Sequence, residues 1–114
     1  MESTLSYLYA LADGDTGFVI EILDLMYKNI PIDIDHIENA LKNDDLASVK
    51  RNAHHMKSSI QYSDYIELSD LLSVFENTQD SPTAIADITS LLPQLKQLSH
   101  NLIQVIEAEK KKID

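Results

Sequence analysis

Apolar residues recur every three or four positions along almost the whole chain, and strict alternation of apolar and polar residues is nearly absent. The first pattern places apolar side chains on one face of a helix, whereas alternation is typical of a half-buried strand. Only 2 glycines and 3 prolines interrupt the 114 residues. The sequence therefore predicts an all-α protein, with a length that suits a single domain over residues 1–114.

Turn and capping residues divide the first half of the chain into three helices. A short first helix is predicted to end at Gly14, after which Asp15 is suited to cap a long second helix. That helix would cover residues 16–43, about 42 Å at 1.5 Å per residue, with a kink or brief break at Pro31. A third helix is predicted to begin after the capping residue Asp45.

The second half of the chain is predicted to add two more helices. Asp64 and Glu67 have the spacing of a capping box for a fourth helix. Ser81-Pro82 would start the last helix, with a second kink at Pro93. Short connections between long amphipathic helices favour antiparallel neighbours. The expected fold is an up-and-down four-helix bundle with a short extra N-terminal helix.

Composition excludes several classes of function. The chain has 9 basic and 19 acidic residues, a net charge of −10, which disfavours nucleic-acid binding because such a surface repels phosphate backbones. Without cysteine it cannot form a disulfide or a zinc–thiolate site. No apolar run approaches the roughly 20 residues of a membrane span, so no direct membrane contact is expected. The glycine content excludes a glycine-rich nucleotide loop. Metal sites in helix bundles need paired ligands on facing helices, and only Asp33 and His36 have that spacing, so no metal site is expected.

Two adjacent histidines stand out on the third helix. If the apolar stripe of this helix faces the core, His54 lies roughly 120° from its centre on one flank and His55 about 140° away on the other. Both rings are therefore predicted to reach solvent. The apolar stripe consists of Leu46, Val49, Ala53, Met56 and Ile60.

Three cationic residues gather around His54. Lys50 and Lys57 lie four residues before and three after it, which makes them neighbours on the helix surface, and Arg51 lies close by. These cations are expected to keep the imidazole uncharged and to stabilise a phosphoryl group, and a neutral imidazole can attack phosphorus directly. The flank of His55 carries no charge, so His55 is interpreted as an exposed bystander.

The segment Ala53-His54-His55-Met56-Lys57-Ser58-Ser59 resembles the Ala-His-x-Leu-Lys-Gly-Ser signature of histidine-containing phosphotransfer (HPt) domains. The resemblance extends over roughly residues 5–76 and includes Phe75-Glu76, which matches a Leu-Glu pair of the family. It implies that His54 is phosphorylated and that Lys57 stabilises the phosphoryl group. Ser58 departs from the usual glycine, and Asp64-Tyr65 replace the usual Gly-Ala, which bears on the identity of the partner.

The function implied by this resemblance is that of a phosphorelay intermediate. His54 would accept a phosphoryl group from the phospho-aspartate of a receiver domain in a hybrid histidine kinase and pass it to the receiver aspartate of a response regulator. The chain would have no kinase activity and no cofactor of its own, since the receiver supplies Mg²⁺. Lys50, Arg51, Ser58 and Gln61 are expected to border the site. The domain is expected to be a cytoplasmic monomer, either stand-alone or the cytoplasmic C-terminal domain of a membrane sensor kinase.

The alternative is an acidic helical interaction module that binds a receiver or kinase domain without becoming phosphorylated. The intact His54 and Lys57 favour the phosphocarrier. The other two histidines, His36 and His100, are interpreted as ordinary surface or boundary residues. The acidic run that contains Asp33 is interpreted as a solvated helix face.

Overall fold

The computed structural model describes residues 5–113, and six helices account for most of them. It contains no strand within that range, and its principal extents are 49 × 20 × 20 Å. The helices are α1 (Ser6–Ala12), α2 (Thr16–Lys42), α3 (Leu46–Ser59), α4 (Ile66–Glu76), α5 (Ala84–Thr89) and α6 (Leu92–Ile113).

Four of these helices form the bundle. α3 packs between α2 and α4, and both α2 and α4 pack against α6, so the four helices enclose one core. The short α1 packs on α2, and α5 lies in the connection between α4 and α6. The predicted up-and-down four-helix bundle with an extra N-terminal helix is confirmed.

The core is apolar, and it fixes how α3 is rotated. Val49, Ala53, Met56 and Ile60 are at most 2% exposed, so four members of the predicted stripe of α3 face inward. Burying these side chains is the main favourable term that holds α3 in place. His54 and His55 are consequently directed away from the core. The largest fully buried side chains are Phe75, Leu5, Leu8, Leu23, Met26, Ile30, Ile37, Met56, Ile60, Leu68, Leu72 and Leu95.

The N-caps expected in the first half of the chain are confirmed. The Asp15 side chain accepts a hydrogen bond from the backbone N–H of Phe18 at 3.0 Å, and Asp45 caps α3 in the same way. Gly14 has φ = 88°, a left-handed conformation that glycine adopts without steric cost.

The break predicted at Pro31 is not observed, since α2 is continuous through it. The buried Ile30 next to the proline anchors this part of α2 in the core.

The predicted capping box of α4 is wrong. α4 begins at Ile66, and its N-cap residue, Tyr65, makes no side-chain capping hydrogen bond. Asp64 instead caps α1, because its carboxylate accepts from the backbone N–H of Tyr7 at 2.9 Å and from the hydroxyl of Ser6 at 2.7 Å. The first N–H groups of a helix have no intrahelical partner, so a carboxylate from another part of the chain can cap them. Sequence spacing cannot reveal such a cap, because Asp64 is 57 residues from Tyr7.

The last stretch also differs from the sequence prediction. Ser81 and Pro82 lie before α5, which begins only at Ala84. Pro93 does not kink a helix, because it is the second residue of α6. Proline is tolerated there because the first N–H groups of a helix have no intrahelical partner. The interruption comes before the proline, between α5 and α6.

Candidate functional site

His54 lies near the middle of α3 with its side chain 66% exposed. Its neighbours Ala53 and Met56 are fully buried, so the packing of α3 directs the imidazole to the surface. The exposure predicted for His54 is confirmed. A macromolecular partner can reach this ring without any rearrangement of the core.

One carboxylate organises the surroundings of His54. Glu76, at the end of α4, accepts a hydrogen bond from Nδ1 of His54 through Oε2. Its other oxygen, Oε1, accepts from Nζ of Lys57 at 2.6 Å, and the same ammonium lies 3.2 Å from Oγ of Ser73. The hydrogen bonds from Lys57 and, after it, from His54 lower the pKa of Glu76 below its ordinary value. The carboxylate is therefore ionised at neutral pH.

This contact determines which nitrogen of His54 is nucleophilic. An ionised carboxylate is only an acceptor, so the proton of a neutral His54 ring resides on Nδ1. Nε2 then carries the free lone pair. A neutral imidazole held in this tautomer can attack an electrophile without a separate base.

The cations predicted around His54 are only partly brought together. Lys57 is half-buried and forms an ion pair with Glu76. The expectation that ammonium groups alone surround the ring of His54 is therefore corrected, because the Glu76 carboxylate contacts both His54 and Lys57. The Arg51 guanidinium donates to the Ser48 hydroxyl at 2.8 Å, toward the start of α3. The side chain of Lys50 makes no hydrogen bond or ion pair within residues 5–113.

Ser58 and Gln61 are exposed beside Lys57. Together with Tyr65 and Ile66, these three residues line a groove of about 400 Å³ between the end of α3 and the start of α4. Ile66 is 68% exposed, so apolar surface is open to solvent next to Lys57. The structure thus groups Lys57, Ser58 and Gln61 on one side of the site.

The surroundings of His55 differ from the prediction that no charged side chain lies beside it. Its side chain is 64% exposed, as expected, but Nδ1 lies 2.9 Å from Oδ1 of Asp33 on α2. Asp33 itself is 2% exposed, so the expectation that it belongs to a solvated face is wrong. Asp33 lies on the buried face of α2, where it places a carboxylate beside His55 on a flank where the sequence showed none.

Glu76 is the residue of the candidate site that the sequence interpretation missed. The signal was present in Phe75-Glu76, which matched a Leu-Glu pair of the family. No periodicity connects Glu76 to His54, because 22 residues and a turn separate them. Only the packing of α4 against α3 brings the two side chains together.

Residues 5–113 contain no group of three or more His, Asp or Glu side chains that could hold a metal ion. Over the same range, no helix is both long enough and apolar enough to cross a membrane.

The fold and site define a helical bundle that presents on its surface a histidine whose Nδ1 is bound by a carboxylate. A family model described as the Hpt domain matches residues 21–108, more than three quarters of the chain. The chain belongs to the Hpt domain family, whose members carry phosphoryl groups in phosphorelays and interact with receiver domains. No curated protein and no solved structure gives a significant match.

Proposed function

We propose that His54 is the phosphoryl acceptor of this Hpt domain and that the phosphoryl group arrives from a receiver-domain aspartate. The observation that carries this proposal is the exposed ring whose Nδ1 is bound by Glu76 and whose Nε2 is therefore free. The chain passes the group on to the receiver aspartate of a response regulator. The donor is the receiver of a hybrid histidine kinase.

The transfer is a direct displacement. Nε2 of His54 attacks the phosphorus of the aspartyl phosphate, the N–P bond forms, and the P–O bond to the aspartate breaks. The aspartate leaves with the electron pair as a carboxylate. The ring keeps its proton on Nδ1 and gains positive charge, which the Glu76 carboxylate stabilises as an acidic side chain stabilises the imidazolium of a serine protease.

Lys57 is proposed to stabilise the phosphoryl group. In the unphosphorylated protein its ammonium is held by Glu76 and Ser73, one turn of helix from His54. A flexible four-carbon side chain allows the ammonium to turn toward a phosphoryl group on Nε2 while the carboxylate keeps its bond to Nδ1. The receiver supplies Mg²⁺ for the reaction.

The partner surface is proposed to surround His54. Ser58 and Gln61 lie beside Lys57 on the groove, where a receiver would cover them during transfer. Lys50 and Arg51 are proposed to contribute to docking through their charge rather than through contact with the phosphoryl group. We further propose that the domain acts in the cytoplasm as a monomer.

The test is transfer from a ³²P-labelled receiver domain to the purified protein. Labelled wild-type protein should carry an acid-labile, base-stable phosphate, as expected of a phosphorylated imidazole. His54→Gln should abolish labelling, and the matched control His55→Gln should retain it. Labelling of His54→Gln, or loss of labelling in His55→Gln alone, would contradict the assignment. Stable binding of a receiver without labelling of the wild type would support the interaction module instead.

A further inference from the structure

Ser73 lies on α4 one turn before Glu76, and its hydroxyl has two partners at once. It donates to the backbone carbonyl of Ser69 at 3.1 Å, and its oxygen accepts from Nζ of Lys57 at 3.2 Å. A serine hydroxyl has one proton to donate and two lone pairs. Because the proton of Ser73 is committed to Ser69, the oxygen presents only lone pairs to the ammonium of Lys57.

The position of Ser73 is fixed by the core of the bundle. Its neighbours Leu72 and Phe75 are fully buried, and Ser73 itself is half-buried. The carbonyl of Ser69 that binds the hydroxyl belongs to the backbone of the same helix. Ser73 therefore offers a fixed acceptor, on a short side chain, to the long and flexible side chain of Lys57.

Helix stability does not favour a serine at this position. Ser73 lies inside α4, where serine is a poorer helix former than alanine. A hydroxyl that bonds to the carbonyl four residues earlier slightly destabilises a helix. Outside α4, the contact that this hydroxyl makes is with Lys57. That contact, rather than the stability of α4, is what the hydroxyl of Ser73 contributes.

The ammonium of Lys57 is held at two points. Oε1 of Glu76 accepts one of its hydrogen bonds at 2.6 Å, and Oγ of Ser73 accepts the other. An ammonium has three N–H donors in a tetrahedral arrangement, so two hydrogen bonds leave one donor and fix its direction. With Glu76 alone, the ammonium would be free to turn about a single hydrogen bond. Ser73 supplies the second point that removes this freedom.

We propose that Ser73 is a positioning residue of the phosphotransfer reaction and acts by holding Lys57 with its third N–H directed to the phosphoryl group on His54. This inference rests on the proposed function, since it requires that Lys57 stabilise the phosphoryl group. Ser73 itself contacts neither the phosphoryl group nor the receiver. Its loss should therefore slow the transfer step and leave receiver binding and the stability of the fold unchanged.

The experiment is a double-mutant cycle of wild type, Ser73→Ala, Lys57→Met and the double variant. Rapid-quench kinetics measure transfer from a ³²P-labelled receiver domain at increasing receiver concentration. Ser73→Ala should lower the saturated rate by about threefold to tenfold, the effect of one lost hydrogen bond, with the half-saturating receiver concentration unchanged. Added to Lys57→Met, the same substitution should change the rate by less than about twofold, because the residue through which it acts is already missing.

Stability separates positioning from a structural role. The urea denaturation midpoint of Ser73→Ala should be no lower than that of wild type, because alanine is the better helix former. A lower midpoint, together with equal slowing by Ser73→Ala in the wild-type and Lys57→Met backgrounds, would assign Ser73 to the structure of α4 and overturn the proposal. A raised half-saturating receiver concentration at an unchanged saturated rate would assign it to docking and overturn the proposal as well.

The cycle also separates this inference from the proposed function. A slow Lys57→Met beside a Ser73→Ala variant as fast as wild type would contradict the role of Ser73 alone. A Lys57→Met variant as fast as wild type would contradict the role of Lys57 in the proposed function, and the role of Ser73 with it.

Discussion

Lys57 on α3 donates to Oε1 of Glu76 on α4 at 2.6 Å, and the second oxygen of that carboxylate binds Nδ1 of His54. The carboxylate joins the residue proposed to carry the phosphoryl group to the residue proposed to stabilise it. Because the pKa of Glu76 is lowered, the stabilisation from this network is present above the ordinary carboxyl pKa and is lost as pH falls through the lowered value.

Substitution of Glu76 should reveal its role in positioning His54. Glu76→Ala removes the acceptor for Nδ1, so the ring loses its fixed tautomer and orientation, and we expect transfer to slow by about tenfold to a hundredfold. Glu76→Gln keeps an acceptor oxygen and should slow transfer by less than about tenfold. Rapid-quench measurement of the rate of phosphoryl transfer from the receiver to the protein distinguishes Glu76→Ala from Glu76→Gln. Equal rates for wild type and Glu76→Ala would show that the carboxylate does not position the ring.

Removal of the ammonium of Lys57 should affect chemistry more than folding. Lys57→Met keeps most of the side-chain length but loses the charge, and we expect the transfer rate to fall by roughly a hundredfold, the cost of removing one charge-stabilising donor. The matched control is Lys50→Met, which should change the rate by less than about threefold because Lys50 acts only through screened surface charge. If the two variants slow transfer equally, the cations act through general charge rather than through position.

Loss of the Asp64 cap should destabilise the protein without changing the contacts of His54. Asp64→Ala leaves the N–H of Tyr7 without its acceptor, and a lost N-cap costs about 1 kcal/mol of unfolding free energy. Urea denaturation measures the change, and Asp80→Ala, at an exposed carboxylate in the loop before α5, is the control. An equal effect of the two variants would show that the contact to α1 contributes nothing.

Tyr9 should lose its phenolic proton only at high pH. Burial and the hydrogen bond to Glu109 raise the pKa of Tyr9 to about 12. A raised phenol pKa stabilises the fold below the unfolded value of about 10, and this contribution is lost as pH rises toward the folded value. Ultraviolet titration of the protein should show a late step at about pH 12 that is absent in Tyr9→Phe. A late step that persists in Tyr9→Phe would contradict the assignment.

The positions of His54 and His55 on α3 were predictable from the sequence. The apolar stripe from Val49 to Ile60 depends only on residues three and four apart, and its burial placed both histidines at the surface. The caps Asp15 and Asp45 were predictable for the same reason, since each bonds to a backbone N–H three residues ahead. These features are local, and local spacing is preserved when the helix forms.

The partners of those histidines were decided only by the tertiary structure. Glu76 and Asp33 each lie 22 residues from the imidazole that they bind, and Asp64 lies 57 residues from the N–H of Tyr7 that it caps. Such contacts depend on the register and rotation of one helix against another, which the summed packing of the core sets. The sequence by itself determined an all-helical bundle with His54 on its surface, and the packing of α2 and α4 against α3 decided which carboxylates the two imidazoles meet.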